Sequence, residues 1–302
     1  MSGKPPVILL AGPTASGKTS LAIRLAKALD GEVINADSMQ IYADLQILSA
    51  RPTEEEQDGI PHHLFGVVDA ATRASVGWWA REVLRLIEEV EARGKRPILA
   101  GGTGLYFNAL VKGLADMPDI SEAARQAAEA LEDRGMEALR EKAIAFDPDA
   151  AARIAPSDKQ RLRRIVEIGL ETGQPISAFQ KETRPLLAAD RHTGLVIEPD
   201  RADLYERIER RFGQMVAAGA MEEARRLADR GLDPVLPAMK ALGVPPLIAA
   251  SLGETSLQDA IVQAKQDSRR YAKRQMTWFR NQMPDWQRID PAAPDRELLT
   301  LL

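Results

Sequence analysis

Residues 7–19, Val7-Ile8-Leu9-Leu10-Ala11-Gly12-Pro13-Thr14-Ala15-Ser16-Gly17-Lys18-Thr19, decide the fold of this chain. The apolar run at 7–10 reads as a buried strand, residues 12–19 fit G-x-x-x-x-G-K-T, and Leu21, Ala22, Leu25, Ala26 and Leu29 then recur at helical spacing. Strand, glycine loop and helix in that order make a P-loop. Its glycines let the backbone turn tightly enough for several N–H groups and a helix N-terminus to face one anion. Lys18 can span two phosphates, and the Thr19 hydroxyl can ligate Mg²⁺. Gly12, Pro13, Thr14, Ala15, Ser16, Gly17, Lys18 and Thr19 are therefore the expected cradle for a di- or triphosphate.

A cradle does not settle the chemistry, because kinases, NTPases and other group-transfer enzymes share it. An NTP hydrolase of this type holds its metal with an Asp at the end of a second apolar strand. The strand predicted at Pro97-Ile98-Leu99-Ala100 runs instead into Gly101-Gly102-Thr103-Gly104, with no acid at its end. A shorter predicted strand, Glu32-Val33-Ile34-Asn35, delivers Asp37 and Ser38 just past its carboxyl end, where ligands of parallel sheets sit. Asp37 reads either as an acid for a second substrate or as a cap on the loop's own backbone.

The outer bounds come from composition. The chain has 302 residues, 45% of them hydrophobic, enough for a full core and two domains. Cysteine is absent, which removes disulfides, Cys-ligated zinc and thiol nucleophiles. No apolar run approaches membrane-spanning length, and Lys4-Pro5-Pro6 stands where a signal peptide would be, so a cytoplasmic protein is expected. His62 and His63 do not suggest a metal, since the chain has 3 histidines and no partner ligands at zinc spacing.

The net charge of −4 argues weakly against a nucleic-acid partner, but local patches matter more than totals. Lys159, Arg161, Arg163 and Arg164 crowd one segment, and Lys265, Arg269, Arg270, Lys273, Arg274 and Arg280 load another. Tyr271, Trp278 and Phe279 interleave with the second group, as on a surface that meets phosphates or on a helix packed against a core.

Along the chain, Trp79, Val83, Leu86, Ile87 and Val90 mark a helix that Gly94 ends before the strand at Pro97. Alternating strands and helices imply a parallel sheet with crossover helices. From about Asp116 to Asp190 the pattern turns wholly helical, with Ser121 and Ser157 as expected N-caps and Gly135 as a stop. Gly194-Leu195-Val196-Ile197 returns as a strand before Pro199-Asp200 opens a helix carrying Leu204, Ile208 and Phe212. The expected architecture is α/β: a P-loop core of residues 1–115 and 191–302, with an all-helical insertion at 116–190.

The motifs GPTASGKT (12–19), NADSMQIY (35–42), ARPT and PHHL (50–53, 61–64), ILAGGTGLY (98–106), QRLRR (160–164), MKALG (239–243) and RRYAKRQMTWFR (269–280) form an ordered series. The chain resembles, over nearly its whole length, the tRNA dimethylallyltransferases, also called tRNA isopentenyltransferases. That resemblance implies a P-loop core, Mg²⁺ dependence, and transfer of a five-carbon allylic group from dimethylallyl diphosphate. The acceptor it implies is the exocyclic amine of the adenosine 3′-adjacent to the anticodon, with the tRNA anticodon arm as partner; a monomer is expected, although the sequence itself does not give the oligomeric state. It assigns Asp37 as the base for the amine, Lys18 to the leaving diphosphate, and Thr103 to the neighbourhood of the reacting centre. Ser38, Met39 and Gln40 would surround the adenine. Arg125 and the segment Gln160, Arg161, Leu162, Arg163, Arg164 would contact the anticodon arm. Because only pyrophosphate leaves and no γ-phosphate is hydrolysed, the missing second-strand acid fits this chemistry.

The chain also departs from the pattern. Leu45-Gln46-Ile47-Leu48-Ser49-Ala50-Arg51 stands where the family has Asp-Ile-Gly-Thr-Ala-Lys, and Val244-Pro245-Pro246 follows MKALG in place of an aromatic and a basic residue. A small-molecule or nucleotide kinase of the same fold is the alternative, with Asp37 activating a hydroxyl and the insertion as a lid. The loop could also bind ATP. A non-enzymatic RNA binder with a vestigial loop fits less well with an intact Lys18, Thr19 and Asp37.

Overall fold

A computed structural model describes residues 6–115, 117–180, 183–293 and 295–301; Lys4, Pro5 and Asp116 lie outside them. Contacts divide the chain into two compact units, Met1–Val111 with Leu187–Leu302, and Lys112–Leu186.

The larger unit is built on six strands: β1 (Val7–Ala11), β2 (Gly31–Asn35), β3 (His62–His63), β4 (Arg96–Gly101), β5 (His192–Ile197) and β6 (Gln287–Ile289). They form one sheet in the order β3-β2-β4-β1-β5-β6, and every pairing is parallel. Leu10 lies opposite Ala100 on one side and Leu195 on the other, which puts β1 at the sheet's interior. Every residue of β1 and β2 is buried, so both faces are covered, as a sheet joined by crossover helices requires. Each fully buried aliphatic side chain in such a strand contributes about 1.5–3 kcal/mol.

Ile8, Leu10, Val33, Ile98 and Leu195 pack with Leu21, Ala22, Leu25 and Ala26 of the helix Lys18–Leu29, the apolar stripe seen in the sequence. The helix Val76–Ala92 starts on the Ser75 cap and buries Trp79, Val83, Leu86, Ile87 and Val90. Trp79 is fully buried, stacks on Tyr106 at 4.0 Å and donates its indole N–H to Asn35 O at 2.9 Å.

Two strands go beyond the sequence reading. β3 and β6 are edge strands of two and three residues without an apolar run. Of the aromatics of the helix Leu257–Gln282, Phe279 is buried, while Trp278 is partly buried and lies so close to Gly104 that a Cβ there would collide with the indole.

The smaller unit has helices Glu122–Asp133, Met136–Phe146, Pro148–Ala152, Lys159–Thr172 and Ile176–Phe179, and no strand among its described residues. Ala128, Leu139, Ala143, Leu162, Ile165, Val166 and Ile168 form its core. Buried Asp147 accepts the N–H groups of Ala150 and Ser177 and so joins two helix starts. Ser121 caps Glu122–Asp133 as expected, but Asp158 rather than Ser157 caps Lys159–Thr172, accepting from Arg161 N. A carboxylate there also meets the positive end of the helix.

Candidate active site

The loop 12–19 leaves the carboxyl end of β1 and enters the helix Lys18–Leu29 through Gly17, whose φ of +91° is a left-handed conformation that glycine adopts without strain. Ala15 also takes a left-handed φ, +61°, a local strain of the kind found where a backbone is shaped for a ligand. Lys18 Nζ donates to Pro13 O at 2.6 Å, which folds the side chain back over the loop. Ser16 is fully buried, and among the described residues its hydroxyl has no partner.

A cleft of about 790 Å³ opens on this loop. Thr14, Ala15, Ser16, Gly17, Lys18 and Thr19 line one side, and Asp37, Gln40 and Arg51 line it as well. The helix Arg201–Ala217, capped by Asp200, adds Arg207, Arg210 and Arg211. Sequence reading missed these arginines because Glu206 to Arg211 looks like an ordinary solvated helix face.

Asp37 is held by its neighbours. Fully buried Asn35 accepts Asp37 N–H at 2.8 Å and donates Nδ2 to Asp37 O and to Leu64 O, both at 3.0 Å. Asp37 Oδ1 accepts Met39 N–H at 2.9 Å, so the aspartate does cap its own loop. Among the described residues no hydrogen bond reaches Oδ2, and that oxygen lies 3.4 Å from where a Gly102 Cβ would stand. Thr103 Oγ1 accepts Ser38 N–H at 2.9 Å and donates to Ser38 Oγ at 3.2 Å, lacing the Gly-Gly-Thr-Gly turn to the Asp37 loop. Gln40 Nε2 donates to Ser49 O and Ala50 O, at 3.1 and 2.8 Å, while Met39 packs partly buried on the core beside Ile47.

The field of Asp37 pervades the site. Burial pulls the Lys18 ammonium down to about 8, with Asp37 opposing the shift and Arg211 adding to it. Burial also holds the Arg211 guanidinium below its ordinary value, offset by Asp37 and Glu56. Tyr106 and Tyr271 are pushed up, by burial first and by Asp37 second. Cations whose charge is disfavoured by burial gain most from an incoming anion.

The two divergent segments have local explanations. Buried Glu223 accepts the N–H groups of Gln46, Ile47 and Leu48, at 2.9, 2.8 and 2.8 Å, and so holds the 45–51 turn against the cleft. Val244-Pro245-Pro246 is the first turn of the helix Val244–Ser251, where proline costs no hydrogen bond.

In the smaller unit, Arg125 is half-exposed and faces Glu122 at 3.8 Å. Gln160 and Arg161 are exposed. Leu162 is not: it has no exposed surface, and its place in the core rules out the nucleic-acid contact expected of it. Nor are the cations a bare patch. Arg161 faces Asp158 at 3.5 Å, Arg163 faces Glu132 and Glu167 at 3.4 and 3.5 Å, and Arg164 faces Glu167 at 3.4 Å. The Arg161 pair is exposed and worth little, whereas Arg163 and Arg164 meet Glu132 and Glu167 in part-buried pairs.

A P-loop at the head of a parallel sheet, facing a carboxylate and a bank of arginines across one cleft, defines a P-loop enzyme that handles a phosphate-bearing substrate. Residues 40–282 match the family described as IPP transferase. The tRNA dimethylallyltransferase of Maricaulis maris is 55% identical over 94% of this chain and 92% of its own length, and that of Caulobacter sp. is 50% identical over 95% and 94%. The crystal structure of the full-length tRNA isopentenylpyrophosphate transferase from Bacillus halodurans is 38% identical, with a TM-score of 0.69 over 99% of this chain and 94% of that one. A eukaryotic dimethylallyltransferase, caught acting on tRNA, reaches a TM-score of 0.80 at 29% identity, over 95% of this chain and 74% of that one. The chain belongs to the IPP transferase family.

Proposed function

We propose that this chain transfers the dimethylallyl group of dimethylallyl diphosphate to the N6 amine of the adenosine 3′-adjacent to the anticodon in tRNA. The observation that carries the reading is the single cleft in which Lys18 and Thr19 of the diphosphate loop, Arg211 and Asp37 all open. The N6 lone pair attacks C1 of the allylic chain, the C1–O bond breaks, and pyrophosphate leaves with the bonding electrons. Lys18, the loop N–H groups and Arg211 stabilise the charge that develops on the leaving oxygen. The amine becomes strongly acidic as it is alkylated, and its proton goes to Asp37. Thr103 and Ser38 fix the Asp37 loop, and Gln40 braces it against Ser49 and Ala50.

A divalent cation suits the donor set. Among the described residues no group of three His, Cys, Asp or Glu is placed to hold a metal. Thr19 offers one hydroxyl, and the substrate's phosphates would supply the other protein-independent ligands, the way Mg²⁺ is bound. Bound there, Mg²⁺ would neutralise diphosphate charge.

The anticodon arm would be met by Arg125, Gln160, Arg161, Arg163 and Arg164. No described helix is long and apolar enough to cross a membrane, and we place the enzyme in the cytoplasm with its tRNA. The test is direct. Purified protein, Mg²⁺ and a tRNA transcript are incubated with labelled dimethylallyl diphosphate or with labelled ATP. Label from the allylic donor should enter RNA; label reaching an acceptor only from ATP would make the protein a kinase.

A further inference from the structure

The helix Leu257–Gln282 is one of the most basic stretches of the chain, yet one polar side chain on it turns inward to partners outside its own helix. Gln275 is buried, between exposed Lys273 and Arg274 on one side and partly buried Met276 on the other. Its Oε1 accepts Thr14 N–H at 2.9 Å, and its Nε2 donates to Gly102 O at 2.8 Å. The first partner belongs to the diphosphate loop. The second belongs to the turn whose Thr103 holds Ser38 and the Asp37 loop.

The chemistry of the two partners dictates the residue. Thr14 offers a donor and Gly102 an acceptor, so the bridging group must carry one of each on a single flat head, and only one orientation of the amide satisfies both. A hydrocarbon satisfies neither partner, and an ionised carboxylate satisfies only Thr14. The junction has no slack. A Cβ at Gly102 would collide with Gln275 Nε2, stand 3.3 Å from Gly12 O and 3.4 Å from Asp37 Oδ2. Phosphate loop, glycine turn, aspartate and glutamine amide thus meet around one point.

We propose that Gln275 is a positioning residue that sets the separation between the leaving diphosphate and the carboxylate that receives the amine's proton. This rests on the prenyl-transfer reading for its kinetic consequence, but the clamp itself does not. Gln275 acts through its bonds to Thr14 and to Gly102. Fixing two loops to one amide keeps the reacting groups at a constant spacing, and a shift of about 1 Å in such spacing can cost about 10²-fold in rate.

The test uses Gln275→Leu, with Gln275→Met as a second variant whose flexible chain fills the same space if the first fails to fold. Melting temperature is recorded for each. Hydrogen exchange should quicken at residues 12–19 and 101–104 in variants that remain folded, dimethylallyl diphosphate binding without tRNA should weaken several-fold, and tRNA affinity should stay unchanged. Under saturating substrates kcat should fall by about 10–100-fold. In a Lys18→Ala background the same change should cost little more, because both residues act through one loop; a merely destabilising change would add in full. Folded variants that keep kcat and donor KM within twofold of wild type would overturn the proposal, as would unchanged exchange at both loops. If the wild-type protein prenylates no RNA, the function reading fails, and the clamp is still judged by exchange and donor binding.

Discussion

Lys18 offers a charge that can be followed by pH alone. Burial sets its ammonium at about 8, down from 10.5. Because the folded-state value is depressed, the unfolded chain holds this proton more firmly between about 8 and 10.5, so the group's contribution to stability rises with pH through that window and is lost as pH falls through about 8. Binding of the allylic diphosphate runs the other way, since the anion needs the ammonium. Below about pH 8 the free enzyme already carries the charge, and affinity should be flat. Above it, each binding event must first protonate the amine, so by pH 9.5 the Kd should rise by roughly 30-fold, the inverse of the fraction still charged. Calorimetric titration of dimethylallyl diphosphate without tRNA, between pH 7 and 9.5, measures this. Run in two buffers of different ionisation heat, it should show close to one proton taken up near pH 9. Lys18→Arg, charged throughout, should bind more weakly but without the slope. A wild-type Kd that stays constant to pH 9.5, or a slope that Lys18→Arg shares, would refute the assignment of that charge to the diphosphate.

Other expectations follow from the same site. Asp37→Asn should lower kcat by about 10²–10⁴-fold with donor affinity nearly unchanged, and retained single-turnover prenylation with tRNA prebound would demote Asp37 to a loop cap. Glu223→Ala strands three backbone donors of the 45–51 turn, two of them within reach of water, and should cost about 2–5 kcal/mol in urea unfolding; an unmoved midpoint would mean that the turn stands without it. Replacing Arg161, Arg163 and Arg164 together with Ala should weaken binding of an anticodon arm and flatten its salt dependence, leaving donor binding alone. Because Glu132, Asp158 and Glu167 already face these cations, the slope should change by less than three full charges, and a change confined to donor binding would make the helical unit a phosphate lid.

What could be read in the sequence was what the chain encodes locally. β1 and β4 announce themselves through the apolar runs Val7–Ala11 and Pro97–Ala100, and β2 and β5 through the shorter runs Val33-Ile34 and Leu195-Val196-Ile197 within otherwise polar strands. β3 and β6 do not, since an edge strand of two or three residues with exposed Gln287 and Arg288 has no pattern to show. The glycine loop and Asp37 were legible for the same local reason. Arg211 and Gln275 are not, because each sits in a run of like-looking polar residues and only the packing of its helix turns Arg211 into the cleft and Gln275 onto Thr14 and Gly102. Leu162 shows the opposite error. It stands within the string QRLRR, yet its spacing to Ile165, Val166 and Gly169 marks the buried face of a helix.

The amide clamp has a consequence for how the protein is made. Thr14 waits for a partner 261 residues away, and β1 stays unpaired on one side until β5 has been synthesised. A nascent chain on the ribosome therefore carries a phosphate loop early but cannot brace it until Gln275 emerges, and synthesis advances at about 5–20 residues per second. Through that interval Thr14 N–H lacks the Gln275 amide that receives it in the finished fold. Truncation before Gln275 would leave a protein that keeps the motif in its sequence while lacking the strut that gives the motif its shape.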